Sequence, residues 1–135
     1  MIKFLEIGMF PVYIGFCSTE KEYKNQLRKY GVGQIHDFIA MPQSSATLHS
    51  FVSTHGEYIM LMCVDIDNAI KEKRTPIELA GLMAHESVHA WQRTRDHIGE
   101  DNTKETEAYF IQYVSQFFME CFEEVSKKRM KWGKY

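Results

Sequence analysis

The stretch Thr75 to Gln92, TPIELAGLMAHESVHAWQ, constrains this chain more than any other, because its first residues specify a helix start and its interior sustains the helix. Thr75 offers a side-chain oxygen as an N-cap, Pro76 suits the first helical position, and Glu78 stands three residues after Thr75 as in a capping box. Leu79, Ala80, Leu82, Met83, Ala84, Val88, Ala90 and Trp91 leave little polar surface, so the segment reads as a helix buried on most sides. Other elements must then be built around it.

Set into that apolar run is His85-Glu86-Ser87-Val88-His89. Two histidines four apart project from one helical face about a turn apart, so their imidazoles can converge on a single ion. Glu86 directly follows the first and can serve as general base toward a water on that ion. Read instead as core histidines hydrogen-bonded to backbone, with a satisfied carboxylate, the three groups would share one dry turn at a considerable desolvation cost.

A hydrolytic zinc site takes three protein ligands and leaves one position open. The metzincin spacing would place glycine and histidine three and six residues after His89, where this chain has Gln92 and Arg95, and so it is excluded. The remaining source is the next helix, whose start is signalled by Asn102 and Glu105 as a capping pair. From Glu107 the same face continues through Phe110, Ile111, Val114, Phe117, Phe118 and Cys121, an apolar stripe that turns Glu107 inward. Glu105 shares its face with Tyr109 and Gln112, a more solvated side. Glu107 is therefore the expected third ligand, with Glu105, Glu100 and His97 as alternatives.

The run HESVHAW followed by Glu107-Ala108-Tyr109 resembles the gluzincin-type metallopeptidases, and small single-domain bacterial and phage members among them. The resemblance spans Thr75 to about Cys121. It implies a zinc-dependent metallopeptidase acting on a protein or peptide substrate, with His85, His89 and Glu107 as metal ligands and Glu86 as the catalytic base. A non-catalytic zinc-binding regulatory or interaction domain of zincin fold is the alternative. Where the best-known gluzincins carry an aspartate four residues after the glutamate ligand, to orient a histidine, this chain has Ile111. The partner of the zinc histidines is thus unassigned, and a backbone carbonyl could serve.

The rest of the chain fits one α+β domain over residues 1–135, a small three-stranded sheet packed on the H-E-x-x-H helix and a second long helix in a minimal zincin-like arrangement. A strand is expected near Phe10 to Cys17, a polar helix from Thr19 to Tyr30 closed by Gly31, and a loop around Met41 to Ser45. Ala46 to Ser53 and Glu57 to Val64 read as strands paired through a Thr54-His55-Gly56 turn. The order is similar to the upper lobe of gluzincins, which implies that an exposed strand beside the active-site helix binds peptide by adding it to the sheet.

Formal net charge of −2 argues against a dedicated nucleic-acid binder. Cys17, Cys63 and Cys121 have no C-x-x-C spacing and are expected to be buried thiols of a cytoplasmic protein. Met1 to Cys17 reads poorly as an export signal, because Glu6 and Pro11 interrupt it and no small-x-small cleavage site follows. No run approaches a membrane-spanning length. His36, His49, His55 and His97 lack ligand spacing and are expected at the surface or in hydrogen bonds, although His49, His55 or Tyr109 could stabilise an oxyanion. The Lys127 to Trp132 cluster is expected to complement a helix end.

Overall fold

The computed structural model describes residues 2–8, 10–33, 36–41, 44–99 and 104–127. Among them the chain runs β1 (Phe4–Glu6), β2 (Val12–Cys17), α1 (Glu20–Lys29), β3 (Ala46–Val52), β4 (Tyr58–Val64), α2 (Ile66–Lys71), α3 (Pro76–Ile98) and α4 (Lys104–Ser126). It is an α+β fold with one four-stranded mixed sheet in the order β1-β2-β4-β3. The expected three strands are present. The fourth, β1, pairs antiparallel with β2 through Phe4 to Glu6, within a segment otherwise considered only as a possible leader.

Period-two alternation in the central strand β4 divides the core. Met60, Met62 and Val64 face α3 and α4 together with Ile14 and Phe16 of β2. Ile59, Leu61 and Cys63 face the opposite way, where Tyr23 and Leu27 of α1 and Phe38 close a second cluster. Such a strand must be apolar along its whole length because both faces are covered. The molecule is thus three layers: α1, the sheet, and the α3–α4 pair.

Parallel pairing of β2 with β4 leaves β3 as an edge strand, held antiparallel to β4 with Leu48 opposite Met62. Helix α2, which the sequence reading did not anticipate, fixes how α3 approaches that edge. Asp65 caps it by accepting from the Asn68 amide at 3.0 Å. The Ser45 hydroxyl then donates to Asn68 Oδ1 and accepts from Arg74 Nε, both at 2.7 Å, tying the turn before α3 to the start of β3.

Helix α3 begins with the full capping box: Thr75 Oγ1 accepts from the Glu78 amide at 3.1 Å, and Glu78 Oε1 accepts from the Thr75 amide at 3.3 Å. Gly99, at φ 69°, ends it in a left-handed cap that a side chain would strain. Trp91 is fully buried between Phe10 and Phe110, with ring centroids 6.1 and 5.2 Å away. Among the described residues no helix is long and apolar enough to cross a membrane. Asn102 and most of the Lys127 to Trp132 cluster lie outside the described residues.

Candidate active site

Only one side of α3 is buried: Leu79, Met83, Ser87, Ala90, Trp91 and Thr94. Each residue advances about 100° around a helix. Ser87, fully buried midway between the two histidines, therefore lies about 160° around the helix from each of them. The imidazoles consequently point away from the core. The expectation of a helix buried on most sides is corrected here: Ala84, His85, Val88 and Gln92 are exposed, and His89 and Glu86 are half-buried. Solvation removes the cost that made an ion seem necessary, so the case for one rests on geometry.

That geometry is specific. His85 Nε2 and His89 Nε2 stand 3.2 Å apart, and His89 Nδ1 lies 3.0 Å from Gln92 Oε1. An amide oxygen can only accept, so with Gln92 Oε1 facing it the neutral His89 ring donates from Nδ1, and in that tautomer its Nε2 presents a lone pair to the point shared with His85. Two nitrogens about 2.0–2.1 Å from one zinc ion and 3.2 Å from each other subtend roughly 100–106° at it, close to tetrahedral. The imidazole pair fits two positions of such an ion. The same contact also suits an Nε2–H···Nε2 hydrogen bond, and metal analysis separates the two.

Gln92 is the orienting group that sequence reasoning missed. Its position three residues after His89, on the neighbouring turn, was the available signal.

The pair borders a cleft of about 640 Å³ between α3 and the β3 edge. Glu78, Leu82, His85, Glu86, His89 and Arg93 line one wall; Ala46, Thr47 and Leu48 of β3, with Ala40, Met41 and Arg74, line the other. Glu86 shares this cleft and makes no hydrogen bond or ion pair with a described residue.

The structure does not bring Glu107 to the imidazoles. Among the described residues no three His, Cys, Asp or Glu side chains are placed together to hold a metal. Glu107 is half-buried and Glu105 exposed, in line with the helix phase read from the sequence. But the stripe that carries Glu107 packs α4 into the core, away from the imidazole face of α3. His97 stands eight residues past His89, about 12 Å along the axis, and its ring stacks on Tyr58 with centroids 4.3 Å apart. It is thereby removed as an alternative ligand. Glu100 lies outside the described residues.

None of the residues considered for oxyanion stabilisation lines the cleft. His49 belongs to the other face of the sheet, where its Nε2 lies 2.9 Å from Phe38 O and its ring stacks on Tyr23 at 4.6 Å. Burial pushes its pKa down, and burial also pushes the Tyr23 hydroxyl up to about 12. His55 is exposed in the β3–β4 turn, and Tyr109 is exposed on α4. The three cysteines are free and buried.

Edge strand β3 does lie beside α3, but over Ala46 to Leu48, the part that lines the cleft, most of its outward groups are occupied. Ser44 Oγ accepts from the Ala46 amide at 3.2 Å and donates to Ala46 O at 2.8 Å, while Arg93 Nη1 donates to Leu48 O at 2.7 Å. Of the amides and carbonyls of these two residues, only the Leu48 amide is left for an added strand. No family model, characterised protein or solved structure matches this chain.

Proposed function

We propose that this chain is a zinc-dependent peptidase of minimal zincin-like fold, in which His85 and His89 hold the metal and Glu86 is the base. The observation that carries this reading is the convergence of the two Nε2 atoms at 3.2 Å on the rim of a cleft that also contains Glu86, which has no partner among the described residues. Zinc would supply polarisation of the scissile carbonyl and a lowered pKa for the attacking water.

The protein's own groups do the rest. Gln92 holds His89 in the tautomer whose Nε2 is a ligand. Glu86 accepts the proton of the attacking water and returns it to the departing amine, a transfer for which a carboxylate with no partner among the described residues is suited. The cleft walls orient the substrate. Glu107, which the structure does not bring to the imidazoles, is the carboxylate the sequence resemblance implies as third ligand, and the structure supplies only the two histidine positions.

Glu86→Gln is the test. It removes the proton acceptor while keeping shape, so peptide hydrolysis should fall by at least about 100-fold with zinc content unchanged. Hydrolysis at the wild-type rate in that variant would overturn the assignment of the base. The second reading, a zinc-binding interaction domain without turnover, is favoured by the two-ligand geometry; it predicts zinc uptake with no hydrolysis in either protein.

A further inference from the structure

Arg93 is the one cation of the cleft that shares a helical face with the candidate centre, one turn beyond His89. It is half-buried, and among the described residues no carboxylate lies within ion-pair distance of it. Its only hydrogen bonds there are made by Nη1, to Leu48 O at 2.7 Å and Ser50 Oγ at 3.4 Å. Nε–H and the two protons of Nη2 have no described partner, and guanidinium nitrogens cannot shed their protons to relieve this. Its bond to Leu48 O both fixes the side chain across the cleft and occupies the carbonyl a strand-like ligand would use. Over Ala46 to Leu48 the cleft therefore has few backbone groups for a long peptide, and of its two arginines Arg74 is bound through Nε to Ser45 while Arg93 presents Nε–H and Nη2 without a described partner.

We propose that Arg93 anchors a carboxylate of the ligand, so that the cleft takes short acidic ligands, a peptide's C-terminal carboxylate or an acidic side chain, rather than the middle of an extended chain. This rests on the cleft being the substrate site, as proposed above, but not on zinc or turnover. A guanidinium with Nε and Nη2 open presents two parallel N–H donors, the fork that a carboxylate fills bidentately. With Nη1 held by β3, the fork has a fixed direction and needs little ordering when the ligand arrives.

Binding to the Glu86→Gln protein tests this without hydrolysis. Three N-acetylated tetrapeptides serve as probes: an all-alanine free acid, its C-terminal amide, and the amide with glutamate at the last position. The free acid should bind on the order of ten- to a hundred-fold more tightly than the alanine amide. Arg93→Gln should erase that difference, and Arg93→Lys should restore part of it. If the glutamate amide recovers the affinity of the free acid, the carboxylate anchor stands and its source includes a side chain. Equal binding of acid and alanine amide to the arginine-containing protein would overturn the proposal, a comparison that does not depend on any arginine variant folding. So would a preference that survives Arg93→Gln in folded protein. Should the acid preference appear with no zinc uptake or hydrolysis, the peptidase reading fails alone; should hydrolysis proceed equally on acid and amide, the anchor fails alone.

Discussion

Two faces of α3 handle polar groups in opposite ways. On the core face, Ser87 donates to Met83 O at 2.7 Å and Thr94 to Ala90 O at 2.8 Å, so each buried hydroxyl is satisfied by the preceding turn of its own helix. On the cleft face, among the described residues, Glu86 has no partner, the ring nitrogens of His85 and His89 meet each other and Gln92, and Arg93 keeps most of its donors open. The core face satisfies its hydroxyls within the helix and leaves only the Trp91 indole N–H without a partner among the described residues, whereas the cleft face carries several donors and acceptors open to a ligand. His49 makes the same point within one residue type: buried, stacked and bonded to Phe38 O, it has no valence aimed at the cleft.

The contrast breaks first where the core face is thinned. Trp91→Ala removes a fully buried ring wedged between Phe10 and Phe110 and should cost about 3–5 kcal/mol of stability in chemical denaturation, whereas Arg93→Gln on the cleft face should cost about 1 kcal/mol, the loss of its hydrogen bond to Leu48 O. Comparable losses from both would mean that the cleft face is also structural. Gln92→Ala sharpens the cleft side. It leaves the fold intact but frees the His89 ring, so zinc affinity should fall roughly 10–100-fold in a competition titration. Unchanged affinity would show that the amide does not orient the ligand.

The smallest effect belongs to His49. Its folded pKa lies below the ordinary 6.5, because burial disfavours the charged ring. The unfolded chain then binds the proton more readily, so stability is full above about pH 6.5 and declines as pH falls through that value toward the folded pKa. His49→Gln should flatten this acid limb by at most about 1.4 kcal/mol per pH unit, read from denaturation midpoints between pH 7 and 5. An unaltered pH dependence would place the titration elsewhere.

Elements with local signals were legible in the sequence. Thr75, Pro76 and Glu78 mark the start of α3 because capping chemistry is contained within four residues, and Gly31 stands where a left-handed φ of 71° follows α1, whereas Gly99, which ends α3 in the same way, was not read from the sequence. The β3–β4 pairing was likewise legible from two apolar runs and a short polar turn. β1 and α2 were not, since three and six residues are too few for periodicity to rise above composition. The imidazole pair of the candidate site was readable from i, i+4 spacing, and its convergence follows. Which side of α3 is covered was not: Ala84 and Val88 are apolar but exposed, and apolarity alone does not say where a neighbour packs. Nor could spacing reveal that Arg93 meets Leu48, 45 residues away in sequence.

Zinc stoichiometry tests the central assignment of the imidazole pair most directly. Metal analysis of protein loaded with zinc and freed of excess should find one ion per chain in wild type and close to none in His85→Ala and in His89→Ala, with Glu86→Gln like wild type. Glu107→Ala in the same series reports on the third ligand: a loss of orders of magnitude in affinity that Glu105→Ala does not share would support it, and an unchanged affinity would remove Glu107 from the site. A wild-type protein that retains no zinc, or histidine variants that retain it fully, would contradict the account.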